Sequence, residues 1–413
     1  MKRADAKVLK AELRAAAPRC GRRGAALVVA ASLWLARLNR AAGQDHADYR
    51  FENYQEDHGR MGIQTQTWLF EKTLRPWLTL RGQAVYDAIS GNTPIGAPPP
   101  SQTKYPFPPP GPLSGSVPTA YLRDKRWAGE MEATLSYGPH HLTPQFSYSS
   151  EHDYISFGGA LNYSLDLNEK NTALNLGYAH DSDSVLANSK TYILRDQSKD
   201  TDKFLVGANQ LLGPNTVLTG AFTFGEDSGY LNDPYRGVLF DDYPQGNPNH
   251  PNLFAEQRPD HRESYIPYAS VLQYVKPLHG SLEASYRFYA DSYGIFAHTL
   301  GLTWHQKIGS RLIVSPLFRY YEQSAADFYG TQFPGDPSNP YSTVKIPTYY
   351  SADYRLSHME TFTYGAEVSA RVLSWLTLDV GFKRYEMAGL DGVTSPSAYA
   401  RASIVTVGTR VWF

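Results

Sequence analysis

The chain ends on Ile404-Val405-Thr406-Val407-Gly408-Thr409-Arg410-Val411-Trp412-Phe413. Counting back from the terminal aromatic, Phe413, Val411, Thr409, Val407 and Val405 form one largely apolar face, and Trp412, Arg410, Gly408 and Thr406 form the other. Period two is the signature of a strand, because successive side chains leave opposite faces of the pleated backbone. A strand at the end of a chain is an edge that needs a partner. Soluble proteins blunt such an edge with charge or proline, whereas a closed barrel pairs its last strand with its first. The stretch is therefore expected to close a bacterial outer-membrane β-barrel, with Phe413 and Val411 as the insertion signal for the barrel-assembly machinery.

The other end supplies a compartment. Basic residues that include Arg19, Arg22 and Arg23 precede an apolar run from Gly24 to Ala36, and the small residues Ala41-Ala42-Gly43 follow. This is the order of a secretory signal peptide over residues 1–43, and the run is too short to span a bilayer as a helix. Twin-arginine export from Arg22-Arg23 and a retained amphipathic anchor are the alternatives. Removing ten of the 39 basic and two of the 40 acidic residues leaves 29 against 38, a balance near −9 for residues 44–413. An acidic chain without a basic patch gives no reason to expect a nucleic-acid partner. The single cysteine, Cys20, leaves with the leader, so neither disulfides nor thiolate metal sites are expected.

Aromatic residues make up 13%, with 30 tyrosines. Such a content fits the interfacial girdles of a membrane barrel, and a mean hydropathy of −0.43 is compatible with insertion because only alternate residues meet lipid. Alternating segments fall near 48–57, 61–71, 78–88, 126–137, 142–150, 155–166, 171–180, 202–212, 216–226, 264–275, 281–291, 295–306, 311–323, 358–371, 375–386 and 399–413. Seven tight reversals, such as Gly138-Pro139-His140 and Gly213-Pro214-Asn215, alternate with long polar connections near 89–125, 181–200, 227–262 and 324–357. Short turns on the periplasmic side and long loops outside are the asymmetry of outer-membrane barrels. The expected fold is thus all-β, a closed antiparallel transmembrane barrel over 44–413 with about sixteen strands. Fourteen strands and a soluble periplasmic β-sandwich are the alternatives.

Faces follow from charge. Leu282, Ala284, Tyr286, Phe288 and Ala290 oppose Glu283, Ser285, Arg287, Tyr289 and Asp291, and Leu376, Leu378, Val380 and Phe382 oppose Thr377, Asp379, Gly381 and Lys383. An Arg or Lys facing lipid at mid-bilayer costs about 2–4 kcal/mol, so the charged faces are expected to point inward. Residues expected to line the lumen are Arg81, Asp87, Glu130, Glu132, Glu283, Arg287, Arg319, Glu367, Arg371, Asp379, Lys383 and Arg410. They can set the selectivity of a water-filled pathway, or neutralise one another across neighbouring strands. Glu56, Asp57, Asp87, Glu151 and Asp153 are expected near the extracellular end, either as an acidic mouth or bonded to loop backbone, Arg60 and Arg123.

The loops add less. Pro98-Pro99-Pro100 and Pro108-Pro109-Pro110 stiffen the connection near 89–125, either as a constriction or as a rigid exterior loop. Asp227, Asp233, Asp241, Asp242 and Asp260 match no calcium-loop spacing and read as a solvated acidic loop, so no metal site is assigned. No zinc, phosphate-loop or nucleophile-elbow motif occurs. His152-Asp153, His298 and His305 are the histidines that a rim hydrolase would need, and His140-His141 sits at a turn. No catalytic residue is assigned.

Four stretches carry a resemblance. They are Tyr54-Gln55-Glu56-Asp57-His58-Gly59-Arg60, Val85-Tyr86-Asp87-Ala88-Ile89-Ser90-Gly91 with Thr93-Pro94 and Pro98-Pro99-Pro100, Glu151-His152-Asp153-Tyr154-Ile155-Ser156, and Leu165-Asp166-Leu167-Asn168-Glu169-Lys170-Asn171-Thr172. Together they resemble the exported bacterial family known as domain of unknown function 3570, over nearly the whole chain after the leader. That resemblance brings no catalytic or binding residues, and implies at most an association with extracytoplasmic flavin transfer; no residue here marks a flavin site. The functional expectation is a porin-like passive channel for small solutes, in contact with outer-membrane lipid, without cofactor or enzymatic activity. The alternative is an occluded structural or partner-binding barrel of an envelope redox system.

Overall fold

The computed structural model describes residues 45–96, 115–186, 196–241, 252–337 and 343–413. The expected signal peptide, both proline triplets and Asp242 lie outside the described residues. Nineteen strands run in chain order among the described residues. They are β1 (His46–Glu56), β2 (Met61–Arg75), β3 (Leu78–Pro94), β4 (Thr119–Tyr137), β5 (His140–Ser150), β6 (Tyr154–Leu167), β7 (Thr172–Val185), β8 (Gln197–Gly213), β9 (Thr216–Gly229), β10 (Gly237–Asp241), β11 (Asn252–Ala255), β12 (His261–Val275), β13 (Gly280–Asp291), β14 (Phe296–Ile308), β15 (Leu312–Gln323), β16 (Gln332–Pro334), β17 (Met359–Leu373), β18 (Leu376–Gly389) and β19 (Arg401–Trp412). Sixteen of them form one closed antiparallel barrel of the outer-membrane kind; β10, β11 and β16 stand apart as a small sheet.

Each expected segment is a strand of the barrel, and closure occurs where the terminal sequence requires it. β19 pairs with β1 from His46 opposite Trp412 to Glu56 opposite Ala402. The β-sandwich and the fourteen-stranded count are therefore both corrected. Alternation holds around the wall: Trp68, Phe70, Trp127, Met131, Phe146 and Phe157 are exposed on the outside, whereas Thr143, Ser164, Asn175, Asn209 and Thr406 on the opposite parity are buried. Soluble proteins rarely leave an apolar band of this kind facing water, whereas a membrane barrel buries it in lipid.

The strands at the loop end run further than the sequence suggested. β3 continues to Pro94 and β4 begins at Thr119, so the connection expected over 89–125 shrinks to 95–118. Asp87, expected where strand meets loop, lies inside β3 opposite Thr65 and Arg126. Gly91 explains how β3 continues: its φ is +140°, and a Cβ there would sit 2.3 Å from the Arg60 carbonyl oxygen, so only glycine lets the two backbones meet.

The long connections are not the irregular polar loops that were expected. Val238, Phe240, Phe254, Phe333, Ile346, Tyr350 and Ala352 form an apolar core around the small sheet. β10 joins β11 antiparallel and β16 parallel, which ties the β9–β12 connection to the β15–β17 connection. Phe240 is 1% exposed and meets the Phe254 and Tyr350 rings edge-on at 5.5 and 4.9 Å.

Candidate functional site

The lumen wall is built by inward alternation, and its charges largely pair. Arg81 Nη1 lies 2.9 Å from Glu132 Oε1, and Arg126 Nη2 lies 2.6 Å from Asp87 Oδ2, which also accepts a 2.5 Å hydrogen bond on Oδ1 from Thr65. At the closing seam Arg410 donates to both oxygens of Asp48, at 2.8 and 2.5 Å. Arg50 Nη2 reaches Glu367 Oε2 at 3.2 Å across β19 and β18. The residues opposite them are Gly408 and Gly381, so no side chain blocks that reach. His305 lies 3.7 Å from Glu283.

The remaining lumen residues have distinct settings. Glu130 is opposite Gln83 on β3, Asp379 is opposite Gly408, and Lys383 is opposite Gly365 and Ile404. Arg371 is exposed near the tight-turn end, opposite Thr377. Arg287 and Arg319 have no carboxylate within ion-pair distance among the described residues.

The acids expected at the mouth are engaged. Glu56 accepts from Arg60 at 2.6 Å and from Tyr54 at 2.9 Å. Asp57 accepts from Arg384, which holds its carboxyl below the usual carboxylate range. Asp153 is buried and accepts from the Tyr235 hydroxyl, while Glu151 and Asp124 lie beside it. This is not an open acidic mouth. Among the described residues, the loop aspartates take separate partners: Asp227 takes Thr201 and Lys199 on the lumen wall, whereas Asp233 takes Arg236 and Arg355.

What fills the mouth is a roof. Gly237 N–H donates to Ile95 O at 2.9 Å, and Arg236 donates to Pro94 O. Arg60 donates to Ser397 O at 2.7 Å, Asp327 N–H to Tyr293 O at 2.9 Å, and Gln323 Nε2 to Arg355 O at 2.9 Å. Reversals from around the rim are thereby joined. Tyr354 from the roof packs with Tyr399, Met359 and Met387 against the inward-facing Tyr321 and Tyr385.

A buried network of three arginines and three acidic side chains sits at the centre of this roof. Arg355 Nη2 lies 2.9 Å from Asp233, and its Nε donates to Asp353 at 2.8 Å. Arg258 reaches Glu256 at 2.7 Å and Asp353 at 2.9 Å. Arg236 lies 3.4 Å from Asp233 and 3.8 Å from Asp353. Asp353 and Arg236 side chains are each 1% exposed, and Glu256 is fully buried. Charges so deep persist only because each is opposed and hydrogen-bonded. Burial pushes the Glu256 carboxyl up to about 7; Arg258 and a 2.5 Å hydrogen bond from Ser351 oppose that rise, while Asp353 and Asp233 add to it.

The strand histidines are engaged by neighbouring side chains. His298 faces outward beside the Tyr286 hydroxyl at 2.7 Å. His305 Nδ1 lies 3.0 Å from Ser315 Oγ, with Glu283 beyond, and His141 similarly joins Ser136 at 2.9 Å to Asp166 at 3.2 Å. Both serines lie on the barrel's hydrogen-bonded ladders.

The profile of one family, described as Protein of unknown function (DUF3570), matches residues 24–401. The chain belongs to the DUF3570 family. None of the curated proteins matches it. Among solved structures, the siderophore receptor PirA from Pseudomonas aeruginosa is 11% identical with a TM-score of 0.40, covering 90% of this chain and 62% of the receptor. The chain thus spans about three fifths of that receptor's length. A bacterial polysaccharide outer membrane secretin is 9% identical with a TM-score of 0.45, covering 91% of this chain and all of the secretin. CdiB from Acinetobacter baumannii is 9% identical with a TM-score of 0.49, covering 91% and 61%. At that level of likeness none of their ligands or activities transfers to this DUF3570 barrel.

The sequence reading missed the roof, although its apolar residues were in view. Val238-Leu239-Phe240, Phe254, Phe333 and Tyr349-Tyr350 interrupt connections that were read as polar. Hydrophobic runs within loops are the signal that could have found it.

Proposed function

We propose that this barrel resides in the bacterial outer membrane and conducts small hydrophilic solutes through a lumen whose extracellular mouth is held shut by its own loops. It is a gated conduit, not an enzyme, and adds a closure to the porin-like passive channel expected from the sequence. The supporting observation is the buried ionic network of Arg236, Arg258 and Arg355 with Asp233, Glu256 and Asp353 in the roof. A barrel of sixteen strands has room for an aqueous path. A buried charge network can hold a closure shut, because loss of one member leaves an uncompensated charge. The second reading, an occluded partner-binding barrel, draws on the apolar core around Phe240, which packs as a protein interior does.

Planar-bilayer recording separates the two. The conduit reading expects brief openings in the native protein and prolonged openings after Asp353→Asn. A variant whose roof loosens by hydrogen exchange, yet which stays closed at every voltage, would favour the occluded barrel.

A further inference from the structure

We infer that the lumen wall formed by β13, β14 and β15 binds small solutes carrying an oxyanion, either a carboxylate or a phosphate, through Arg287 and Arg319. This deepens the conduit reading and rests on it for passage, though not for binding. Both arginines alternate with outward aromatics, Tyr286 and Phe288 on β13 and Phe318 and Tyr320 on β15, so both guanidinium groups lie on the inner face.

Five other lumen arginines are neutralised. Arg50, Arg81, Arg126, Arg262 and Arg410 each hold a carboxylate. Arg287 and Arg319 hold none among the described residues, and they lie on neighbouring inward rows of one wall, on either side of β14. Their neighbours explain why. The row through Arg287 runs from Tyr268 through Thr299 to Tyr321, and the row through Arg319 runs from Ser285 through Gly301 to Thr363. These positions carry hydroxyl groups or no side chain, and none carries an acid.

Two like charges held near each other without a counter-charge are unfavourable, and a bound anion relieves that cost. A guanidinium offers parallel N–H donors matched to carboxylate or phosphate oxygens. Gly301 keeps the strand between the arginines low; a Cβ there would meet the Ser285 hydroxyl at 2.6 Å. The Tyr321 ring lies 5.7 Å from the Arg319 guanidinium carbon, which helps hold that group in place. Hydroxyls of Tyr268, Ser285 and Thr299 supply further donors at the edge.

The test is titration calorimetry of the purified full-length barrel in detergent, with benzoate in one arm and inorganic phosphate in the other. Binding of at least one is expected, and the stronger arm identifies the preferred oxyanion. Arg287→Gln with Arg319→Gln is expected to weaken it at least tenfold, whereas Arg50→Gln leaves it unchanged. The Arg287→Lys, Arg319→Lys barrel keeps the charge but not the fork, and should lose part of the affinity. Heat-dependent gel mobility checks that each variant is folded. Absence of binding in both arms, or equal binding by the glutamine variant, overturns the site. Reversal potentials in a salt gradient then separate the two claims: binding without conductance defeats the conduit and leaves the site standing, while conductance without binding does the opposite.

Discussion

Asp353 shows how much rests on single side chains in this molecule. It accepts from Arg258 and Arg355 and faces Arg236 at 3.8 Å, with 1% of its side chain exposed. Asp353→Asn keeps the shape and removes the charge, leaving three arginines against two carboxylates. Breaking a buried pair in this way costs about 3–5 kcal/mol. Amide exchange over residues 237–241 is expected to accelerate by about a hundredfold or more, which mass spectrometry would read, while the barrel strands keep their protection. On the outer wall Val407 is 45% exposed in the middle of β19, and Val407→Arg is expected to cost about 2–4 kcal/mol in urea titrations of vesicle-inserted protein. Gly91→Ala tests the backbone. A Cβ there has no space beside Arg60, so the variant should lose order at the β2–β3 end while the tight-turn end stays intact.

At the scale of elements, the sixteen barrel strands were legible and the three roof strands were not. Barrel strands carry their evidence in period-two alternation and in the Gly, Pro and Asn of seven short reversals, which are local signals. β10, β11 and β16 are three to five residues long and pair residues far apart in sequence, such as Leu239 with Gln332. No local pattern specifies that pairing. The same reason explains the candidate residues. Which face each charge occupies follows from parity alone; that Arg50 meets Glu367 across two strands, or that Arg287 has no acid beside it, depends on register that only the closed sheet supplies.

The roof also responds to pH. A carboxyl whose value is raised by burial holds its proton more tightly in the folded roof than in an open loop. The contribution of Glu256 is therefore full below the ordinary range near 4.5 and is lost as pH rises through about 7. Roof amides are expected to be better protected at about pH 6 than at about pH 8. Glu256→Gln should flatten that dependence, and an unchanged pH profile in the variant would assign it to another group.

On the scale of the whole molecule, a wide barrel and a closed roof are in tension, and the proposed gating would resolve it. The wall is polar and largely charge-balanced, as a water-filled path requires, while the roof has the buried core and ionic network of a small domain. Asp45 and Phe413 tie the first and last residues of the barrel together, through Phe413 N–H donating to Asp45 O at 3.0 Å, so the cylinder itself has no loose seam. In the conduit proposed above, opening is then a motion of the loops. Leu239 and Gln332 are direct partners between parallel β10 and β16, a spacing suited to a disulfide, and residues 44–413 contain no cysteine to compete. The most direct measurement is single-channel recording of the Leu239→Cys, Gln332→Cys barrel, oxidised and then reduced in the same bilayer. Silence when oxidised, with openings restored by reductant, is the predicted result; openings that persist through oxidation, or silence in both states, would contradict a gated conduit.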